Sequence, residues 1–431
     1  MDMIGELLAG RLRDVQSGET LRVPVKRVVI EKSLAGSEAD LIAGLNLPPP
    51  YAVVSDFNTH EALGRGVEAA LARHGIISVR LPGRPQPDEE TAAKVMAAGA
   101  KAGSYVAVGS GTINDLAKFS AAQQGKRCAV FATAPSMNGY TSVNVAITMG
   151  GHKKSLPAVA PEGVFCDLSV LAAAPVRLIR AGFGDAICRS TAQADWYMAH
   201  RLRGSNYRAM PFSLFAKLED EMVDGADALT RGDPGAVEAL TRVLLLSGFG
   251  MAICGGSYPA SQGEHLISHY VEMLGSHNDD APMHGEQIAV TTLVMARLQE
   301  ELLAGPPPRL KASSVTLAEL ASHFGDELGR DCMVEIMPKL LNDPQADELN
   351  AKLERIWPPL TDDLRKMMRP ASEIANALKR CGAPTTYEQL GLSRGFFADA
   401  VLHAREIRNR YTFLDLAADS RRLLPEKLID R

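Results

Sequence analysis

The segment Val108–Lys118, which reads VGSGTINDLAK, ends an apolar run in a glycine turn and leads directly into a helical pattern. Glycines let the backbone come close to an anion, and the amide groups and dipole at a helix start favour negative charge there. A tight connection capped by Ser110 or Thr112 accounts for the same residues equally well. The segment therefore predicts a strand, a turn and a helix in a geometry that suits a phosphate.

Short apolar runs on both sides of this segment extend the pattern into a sheet. Runs at 27–30, 51–54, 77–81 and 128–131 alternate with helical patterns such as Glu61–His74 and Glu89–Ala102, an alternation typical of parallel α/β structure. From about residue 177 the strand signal fades and helical patterns dominate. We predict an α/β domain with a parallel sheet over residues 1–176 and an all-α domain over residues 177–431.

Composition limits the class of protein and of partner. With 431 residues, 46% hydrophobic and 23% charged, the chain is long enough for two domains with their own cores. A net charge of -5 and a pI near 6.1 give no electrostatic footprint for nucleic acid or an anionic membrane. The start lacks a signal-peptide pattern, and the most apolar later run is interrupted by serine and glycine. We expect a cytoplasmic protein without membrane insertion that binds a small molecule.

The six cysteines are scattered through the chain without a Cys-x-x-Cys pair. Such spacing favours neither a disulfide framework nor a metal bound by sulfur. The cysteines are therefore expected to be packed thiols.

Histidines near the middle of the chain indicate a metal site. His265 and His269 are four residues apart and share a helix face, while His284 lies beyond a loop-like stretch in which His277 is a weaker candidate. Upstream, Asp185 ends the segment GFGD. A single histidine in an apolar helix is more often packed or solvated, but one Asp and two His together are typical of an open catalytic metal centre.

Two further polar positions follow predicted strands. Asp56 comes just after the strand at 51–54, where a carboxylate can bind an adenosine ribose and disfavour a 2'-phosphate. It could equally start a turn, with Asn58 or Thr59 capping the next helix. The loop Thr133–Ser142, TAPSMNGYTS, follows another strand. Ligands gather at the carboxyl ends of strands, so this loop, the glycine turn and Asp56 are expected to border one crevice.

Taken together, these motifs resemble the glycerol-1-phosphate dehydrogenase family, within the wider group of glycerol dehydrogenases, iron-containing alcohol dehydrogenases and dehydroquinate synthases. The resemblance runs through most of the chain and rests on the segments 109–118, 133–142, 182–185, 264–269, 284–287 and 407–412. It implies a dehydroquinate synthase-like fold with an N-terminal NAD(P)-binding α/β domain, a helical metal- and substrate-binding domain, and an active site in the cleft between them. It also implies a homo-oligomer and a role in phospholipid metabolism.

The same resemblance implies a site and a reaction. One divalent ion, zinc, nickel or iron, would be bound by Asp185, His265 and His284, with Asp185 and His269 catalytic and close to the substrate. The reaction would interconvert dihydroxyacetone phosphate and sn-glycerol 1-phosphate. NAD or NADP would be held by Asp56, Gly109, Ser110, Gly111, Thr112, Asn114, Asp115, Thr133, Ser136 and Ser142.

One substrate-binding position departs from the family pattern. Asn138 stands where the family commonly has an aspartate; it keeps an acceptor, adds donors and removes a negative charge. The alternative functions are a glycerol or other polyol dehydrogenase acting on an unphosphorylated substrate and, with less support, a dehydroquinate synthase-like lyase. A non-catalytic binding protein would be expected to lack a metal ligand or the cofactor turn, and neither loss is visible.

The residues that would hold a substrate phosphate stay open in the sequence. Lys153 and Lys154 lie in a predicted loop, where a solvated lysine pair is the simpler interpretation. Arg408 and Arg410 are two residues apart, a spacing that does not place them on one helix face.

Overall fold

The computed structural model describes residues 2–150, 152–275 and 281–430, without the side chains of residues 152 and 153. The chain forms two compact units. The first comprises Met1–Ala186, Arg208–Ser257 and Arg380–Gly382, and the second comprises Ile187–Tyr207, Tyr258–Lys379 and Ala383–Arg431. The predicted domain division after residue 176 stays a prediction. His277 lies outside the described residues.

The first unit contains a six-stranded parallel sheet, which confirms the predicted fold class. The described strands are β1 Arg27–Glu31, β2 Tyr51–Asp56, β3 Ile76–Leu81, β4 Ser104–Gly109, β5 Arg127–Ala132, β6 Asn144–Met149, β7 His152–Pro157 and β8 Gly163–Asp167. The sheet order is β1-β8-β5-β4-β2-β3, and β6 and β7 form a separate antiparallel pair. Lys154 therefore lies in a strand and not in the predicted loop.

The strand order sets where the candidate nucleotide residues lie. β4 pairs with β2 on one side and β5 on the other, all in parallel, so their carboxyl ends meet at the same edge of the sheet. Asp56 ends β2, Gly109 ends β4, and the loop beginning at Thr133 follows β5. The strand order therefore places these three features at one edge of the sheet, where the sequence led us to expect them. Behind it, Val53, Val106 and Phe131 belong to one buried core.

The helices account for most of the remaining chain. Those up to residue 186 are α1 Met3–Leu8, α2 Glu38–Ala43, α3 Phe57–Thr59, α4 Arg65–Leu71, α5 Glu89–Ala98, α6 Gly111–Gln123, α7 Leu168–Ala172 and α8 Val176–Ala186. Then follow α9 Arg189–Arg203, α10 Met210–Ser213, α11 Ala216–Asp224, α12 Ala226–Leu229, α13 Pro234–Cys254, α14 Gly263–Leu274 and α15 His284–Leu303. The last are α16 Leu317–Phe324, α17 Asp326–Ile336, α18 Asp343–Met367, α19 Ala371–Cys381, α20 Arg394–His403, α21 Phe413–Asp419 and α22 Pro425–Ile429.

Among the described residues of the second unit, all regular secondary structure is helical. Its core joins apolar side chains of α9, α14, α15, α18, α20 and α21, among them Met198, Leu266, Leu298, Leu360 and Phe413. Helix α14 contributes Leu266, Ile267, Tyr270 and Val271 to this core. Because these side chains fix the rotation of α14, they also fix the direction in which its histidines point.

One described helix, α13, is long and apolar enough to pass a composition test for a membrane span. Two thirds of the relevant window, 67%, is buried inside the protein. Burial within the first unit is a sufficient explanation of its apolar sequence.

Candidate nucleotide and metal sites

The turn between β4 and α6 requires glycine. A Cβ added at Gly109 would lie 2.5 Å from the Cβ of Ile113, and one at Gly111 would lie 3.3 Å from the side chain of Met137. Ser110 occupies the N-cap position of α6, but its hydroxyl makes no capping hydrogen bond. The predicted Ser110 or Thr112 cap is therefore not formed. A helix start without a side-chain cap keeps its amide groups available for a phosphate.

Asp56 has a structural role of its own. Its Oδ1 accepts the amide N–H groups of Asn58, at 2.7 Å, and Thr59, at 2.9 Å, while the Thr59 hydroxyl accepts the N–H of Asp56 at 3.0 Å. This reciprocal arrangement is a capping box. The interpretation that Asn58 or Thr59 caps the helix was wrong, since Asp56 itself does so. A ribose contact by Asp56 stays a prediction.

A buried lysine that sequence reasoning missed holds the loop after β5. Lys118 lies on α6 and donates from Nζ to the carbonyl oxygens of Gly139, at 3.0 Å, and Asn144, at 2.9 Å. Its third partner is the Ser142 hydroxyl at 3.3 Å. Burial lowers the pKa of Lys118 despite the nearby Asp115 carboxylate. The available signal was the position of Lys118 one helical turn after Asn114 and Asp115, on the face that begins at the glycine turn.

Other predicted cofactor residues also make contacts that shape this loop. The Thr133 N–H donates to the Gly109 carbonyl at 3.2 Å, which ties the loop to the glycine turn. Asn114 donates to Asp115 at 2.9 Å, and Asp115 accepts the Ala146 N–H at 2.9 Å. These contacts fix the local backbone, and contacts of the same residues with a cofactor stay predictions.

Asp185, at the end of α8, lies against the same loop within the first unit. Its carboxylate is buried, and Oδ2 accepts the Asn138 N–H at 2.9 Å. The close approach depends on Gly182, where an added Cβ would lie 1.7 Å from the Pro135 carbonyl oxygen. The Asn138 side chain donates to the Ser247 hydroxyl at 3.4 Å. The segment GFGD thus places a carboxylate beside the predicted substrate residue.

Three histidines of the second unit form one cluster. His265 and His269 lie on α14, and His284 is the first residue of α15. The ring centroids of His265 and His284 are 5.2 Å apart, and the His269 centroid is 6.0 Å from the first and 6.1 Å from the second. The two helices therefore bring together the imidazoles that the spacing pointed to.

Glutamates orient two of these rings. His265 Nδ1 lies 2.9 Å from Glu264 Oε1, and His284 Nδ1 lies 3.0 Å from Glu272 Oε1. A carboxylate that accepts from Nδ1 holds the imidazole in the tautomer whose Nε2 lone pair can bind a metal. Sequence reasoning did not assign a role to either glutamate, although Glu264 precedes His265 and Glu272 lies two turns along the same helix.

His269 differs from the other two histidines. Its Nδ1 is buried and has no hydrogen-bond partner among the described residues. Burial lowers the pKa of His269 well below its ordinary value, and the positive charge of Arg408 lowers it further. The imidazole is therefore neutral near pH 7, the form that can accept or relay a proton.

A further group of possible ligands lies beside His265. Atoms of Cys188, Glu264 and His265 lie within 4.8 Å of one another, and all three residues are buried. Glu264 Oε1, however, already accepts the Gln262 N–H at 2.8 Å and contacts His265 Nδ1. These contacts favour an orienting role for Glu264. The six cysteines, all of them among the described residues, form no disulfide bond.

The segment after α20 does not have the helical conformation assumed when the spacing of Arg408 and Arg410 was interpreted. Residues 407–412 are not helical, and the Arg410 N–H donates to the Arg408 carbonyl at 2.9 Å. The conclusion that Arg408 and Arg410 lie on different faces of a helix therefore does not apply. The Arg410 guanidinium lies 4.6 Å from the centre of the Tyr258 ring and donates to the Ser261 carbonyl.

Comparison with known proteins gives concordant results. A family model described as iron-containing alcohol dehydrogenase matches residues 29–175. The chain is 29% identical to the glycerol-1-phosphate dehydrogenase [NAD(P)+] of Bacillus velezensis, over 87% of each chain. It is 34% identical to the enzyme of that name from Thermococcus kodakarensis, over 63% of this chain and 77% of the relative. A probable glycerol dehydrogenase from Sinorhizobium meliloti has a similar fold, with a TM-score of 0.58 at 20% identity, covering 92% of this chain and 98% of the other.

Proposed function

This chain belongs to the glycerol-1-phosphate dehydrogenase family, and on that premise we propose that it interconverts dihydroxyacetone phosphate and sn-glycerol 1-phosphate with NAD(P) as hydride carrier. The observation that carries the proposal is the histidine cluster, in which His265 and His284 are each oriented by a glutamate and His269 is kept neutral. A scaffold that had lost its chemistry would not be expected to keep this arrangement.

The proposed metal ligands are Asp185, His265 and His284. Their chemistry suits a divalent ion, since a buried carboxylate and two imidazoles with oriented Nε2 atoms are a common donor set for zinc, nickel or iron. A divalent ion held there would polarise the carbonyl oxygen of the substrate. Asp185 lies two residues before Ile187, the first residue of the second unit, which carries both histidines.

The proposed dinucleotide site lies at the carboxyl ends of β2, β4 and β5. The glycine turn at 109–111, with the uncapped start of α6, suits the pyrophosphate. Both capping bonds of Asp56 go to Oδ1, and no described residue donates to Oδ2, so capping is compatible with a ribose contact. NAD(P)H supplies the hydride. A carboxylate at this position favours NAD over NADP.

The substrate-facing residues we propose are Asn138 and His269. The Asn138 carboxamide both donates and accepts, so it can hydrogen-bond substrate hydroxyl groups without adding charge beside Asp185. The neutral imidazole of His269 would hydrogen-bond a substrate hydroxyl and exchange its proton as the carbonyl and alcohol interconvert.

Oxidation of the two enantiomers of glycerol phosphate tests the proposal, because only one of them is the proposed substrate. Purified, metal-loaded protein with NAD⁺ or NADP⁺ should oxidise sn-glycerol 1-phosphate, whereas sn-glycerol 3-phosphate and glycerol should be much poorer substrates. Absorbance of the reduced nicotinamide gives the rates. Preferential oxidation of unphosphorylated glycerol would instead identify a polyol dehydrogenase.

A further inference from the structure

The segment Ile407–Thr412 is a non-helical turn whose ends are fixed within the second unit. The Asn409 N–H donates to Glu335 Oε2 at 2.8 Å, and the N–H of Phe413, which follows the segment, donates to Asp195 Oδ1 at 2.8 Å. A short helical turn at 404–406 precedes the segment and packs against α14, the helix of His265 and His269. The turn is therefore held close to the histidine helix by backbone contacts.

Three cations around this turn are neutralised or bonded by the protein itself. Arg405 donates to Asp415 at 3.0 Å and to Asp419 at 3.1 Å. Lys339 lies 3.1 Å from Asp415 and donates to the Arg410 carbonyl at 3.0 Å. Arg410 is held by the Ser261 carbonyl and the Tyr258 ring. These three side chains have structural partners that account for their positions.

Arg408 is different. Its side chain is partly buried, yet no hydrogen bond or ion pair joins its guanidinium to any residue that the structure describes. Glu335 is the acid that acts on it electrostatically, and Glu335 Oε2 already accepts the Asn409 N–H. Removing a guanidinium from water without an acceptor is unfavourable. Burial lowers the pKa of Arg408 despite the negative charge of Glu335, so the guanidinium would be stabilised by an anion that binds it directly.

Arg408 also lies near the proposed substrate histidine. It follows the turn at 404–406, which packs against α14, the helix of His269, and its positive charge lowers the pKa of that imidazole. A guanidinium offers several N–H donors in a planar fork that matches the oxygens of a phosphate group. A cation with this chemistry beside a neutral proton-relaying imidazole fits a substrate that carries both a hydroxyl or carbonyl group and a phosphate.

We propose that Arg408 binds the phosphomonoester group of the substrate and so determines the preference for a phosphorylated triose over its unphosphorylated counterpart. This assignment rests on the proposed function and extends it to a specificity-determining residue. Arg410 does not share the role, because its guanidinium is engaged by Ser261 and Tyr258.

Kinetics on substrates with and without phosphate test the assignment. Arg408→Gln should lower kcat/KM for dihydroxyacetone phosphate about 10- to 100-fold, mainly through KM, because a charge-assisted contact is lost. The value for dihydroxyacetone should fall much less, and Arg408→Lys should fall between wild type and the glutamine variant. The matched control is Arg330→Gln, an exposed position on α17, which should behave as wild type. Equal losses on both substrates, or no loss on the phosphate ester, would overturn the assignment.

A binding measurement separates this assignment from the proposed function. Calorimetric titration of the metal-loaded protein with inorganic phosphate requires no turnover. We expect Arg408→Gln to weaken phosphate binding by a factor similar to its kinetic effect, with an unchanged circular dichroism spectrum. Arg408-dependent phosphate binding in a protein that does not turn over dihydroxyacetone phosphate would reject the reaction and keep the phosphate site. Equal phosphate binding by wild type and variant would reject the site.

Discussion

Single side chains of the histidine cluster have separable roles. His265 and His284 each have a glutamate on Nδ1, whereas the buried Nδ1 of His269 has no partner among the described residues. Imidazoles that bind metals generally donate their other ring nitrogen to a carboxylate or carbonyl. These hydrogen bonds support our proposal that His265 and His284 bind metal and that His269 contacts the substrate.

Replacing these histidines should produce two different defects. His265→Ala and His284→Ala should lose most bound metal together with activity, because each removes a ligand. His269→Ala should keep most of its metal and lose turnover. Metal per chain, measured by inductively coupled plasma mass spectrometry, distinguishes the two groups, with the exposed His74→Ala as control. A folded His284→Ala protein with full activity would refute the ligand assignment.

Asn138 is the proposed substrate-binding residue at which the sequence resemblance leads us to expect an aspartate. Its N–H donates to Asp185, so a carboxylate introduced at position 138 would add a second negative charge close to the first. Asn138→Asp should therefore lower kcat/KM for dihydroxyacetone phosphate relative to dihydroxyacetone. If the ratio of the two specificity constants is the same in variant and wild type, Asn138 has no part in substrate choice.

At the scale of secondary-structure elements, Asp195 of α9 connects α14 and α15, which carry the histidine cluster, with the start of α21. Its carboxylate accepts the N–H of Gly263 at the start of α14, at 2.9 Å, and the N–H of Phe413 at the start of α21, at 2.8 Å. Gln299 of α15 donates to it at 3.3 Å. One buried side chain thus connects the histidine helices with the turn that carries Arg408.

Removing this connection should weaken both fold and catalysis. Asp195→Ala leaves two buried N–H groups without their acceptor, which should cost about 2–5 kcal/mol of stability. The urea midpoint should fall markedly, while the exposed Asp347→Ala on α18 should change stability by no more than about 0.5 kcal/mol. Asp195→Asn keeps one acceptor oxygen and should be intermediate. An unchanged midpoint in Asp195→Ala would show that the carboxylate does not hold these helices.

The elements also show what the sequence could and could not predict. Five of the six sheet strands were predicted, four from separate apolar runs and β4 from the apolar run that ends in the glycine turn. Apolar runs between helical patterns are a strong local signal for strands. β8 was not predicted, since its three apolar residues lie between a glycine and an aspartate, two residue types that are common in turns. The turn at 407–412 and the glutamates beside His265 and His284 depend on tertiary contacts, which spacing along the chain does not encode.

For the whole molecule, the change from strands to helices along the sequence does not coincide with the division into compact units. Residues 208–257 are helical yet belong to the first unit, together with the parallel sheet. The apolar character of α13 reflects this packing, because most of the helix is buried there. Periodicity predicts the type of an element, but the unit that the element joins depends on which other surface covers it.

Metal binding should be visible in the stability of the whole protein. A ligand that binds only the folded state at about 100 times its Kd stabilises that state by about 2.7 kcal/mol. After chelator treatment, adding zinc or nickel should raise the apparent Tm of wild type and not that of His284→Ala. A similar rise in both proteins would indicate metal binding elsewhere.

The most direct measurement is the ratio of kcat/KM for dihydroxyacetone phosphate to that for dihydroxyacetone, with NADH or NADPH and metal-reconstituted wild-type protein. We predict metal-dependent reduction of the phosphate ester, giving sn-glycerol 1-phosphate, at a specificity constant far above that for the unphosphorylated ketone. Equal or better turnover of dihydroxyacetone, or formation of sn-glycerol 3-phosphate, would contradict the proposed function.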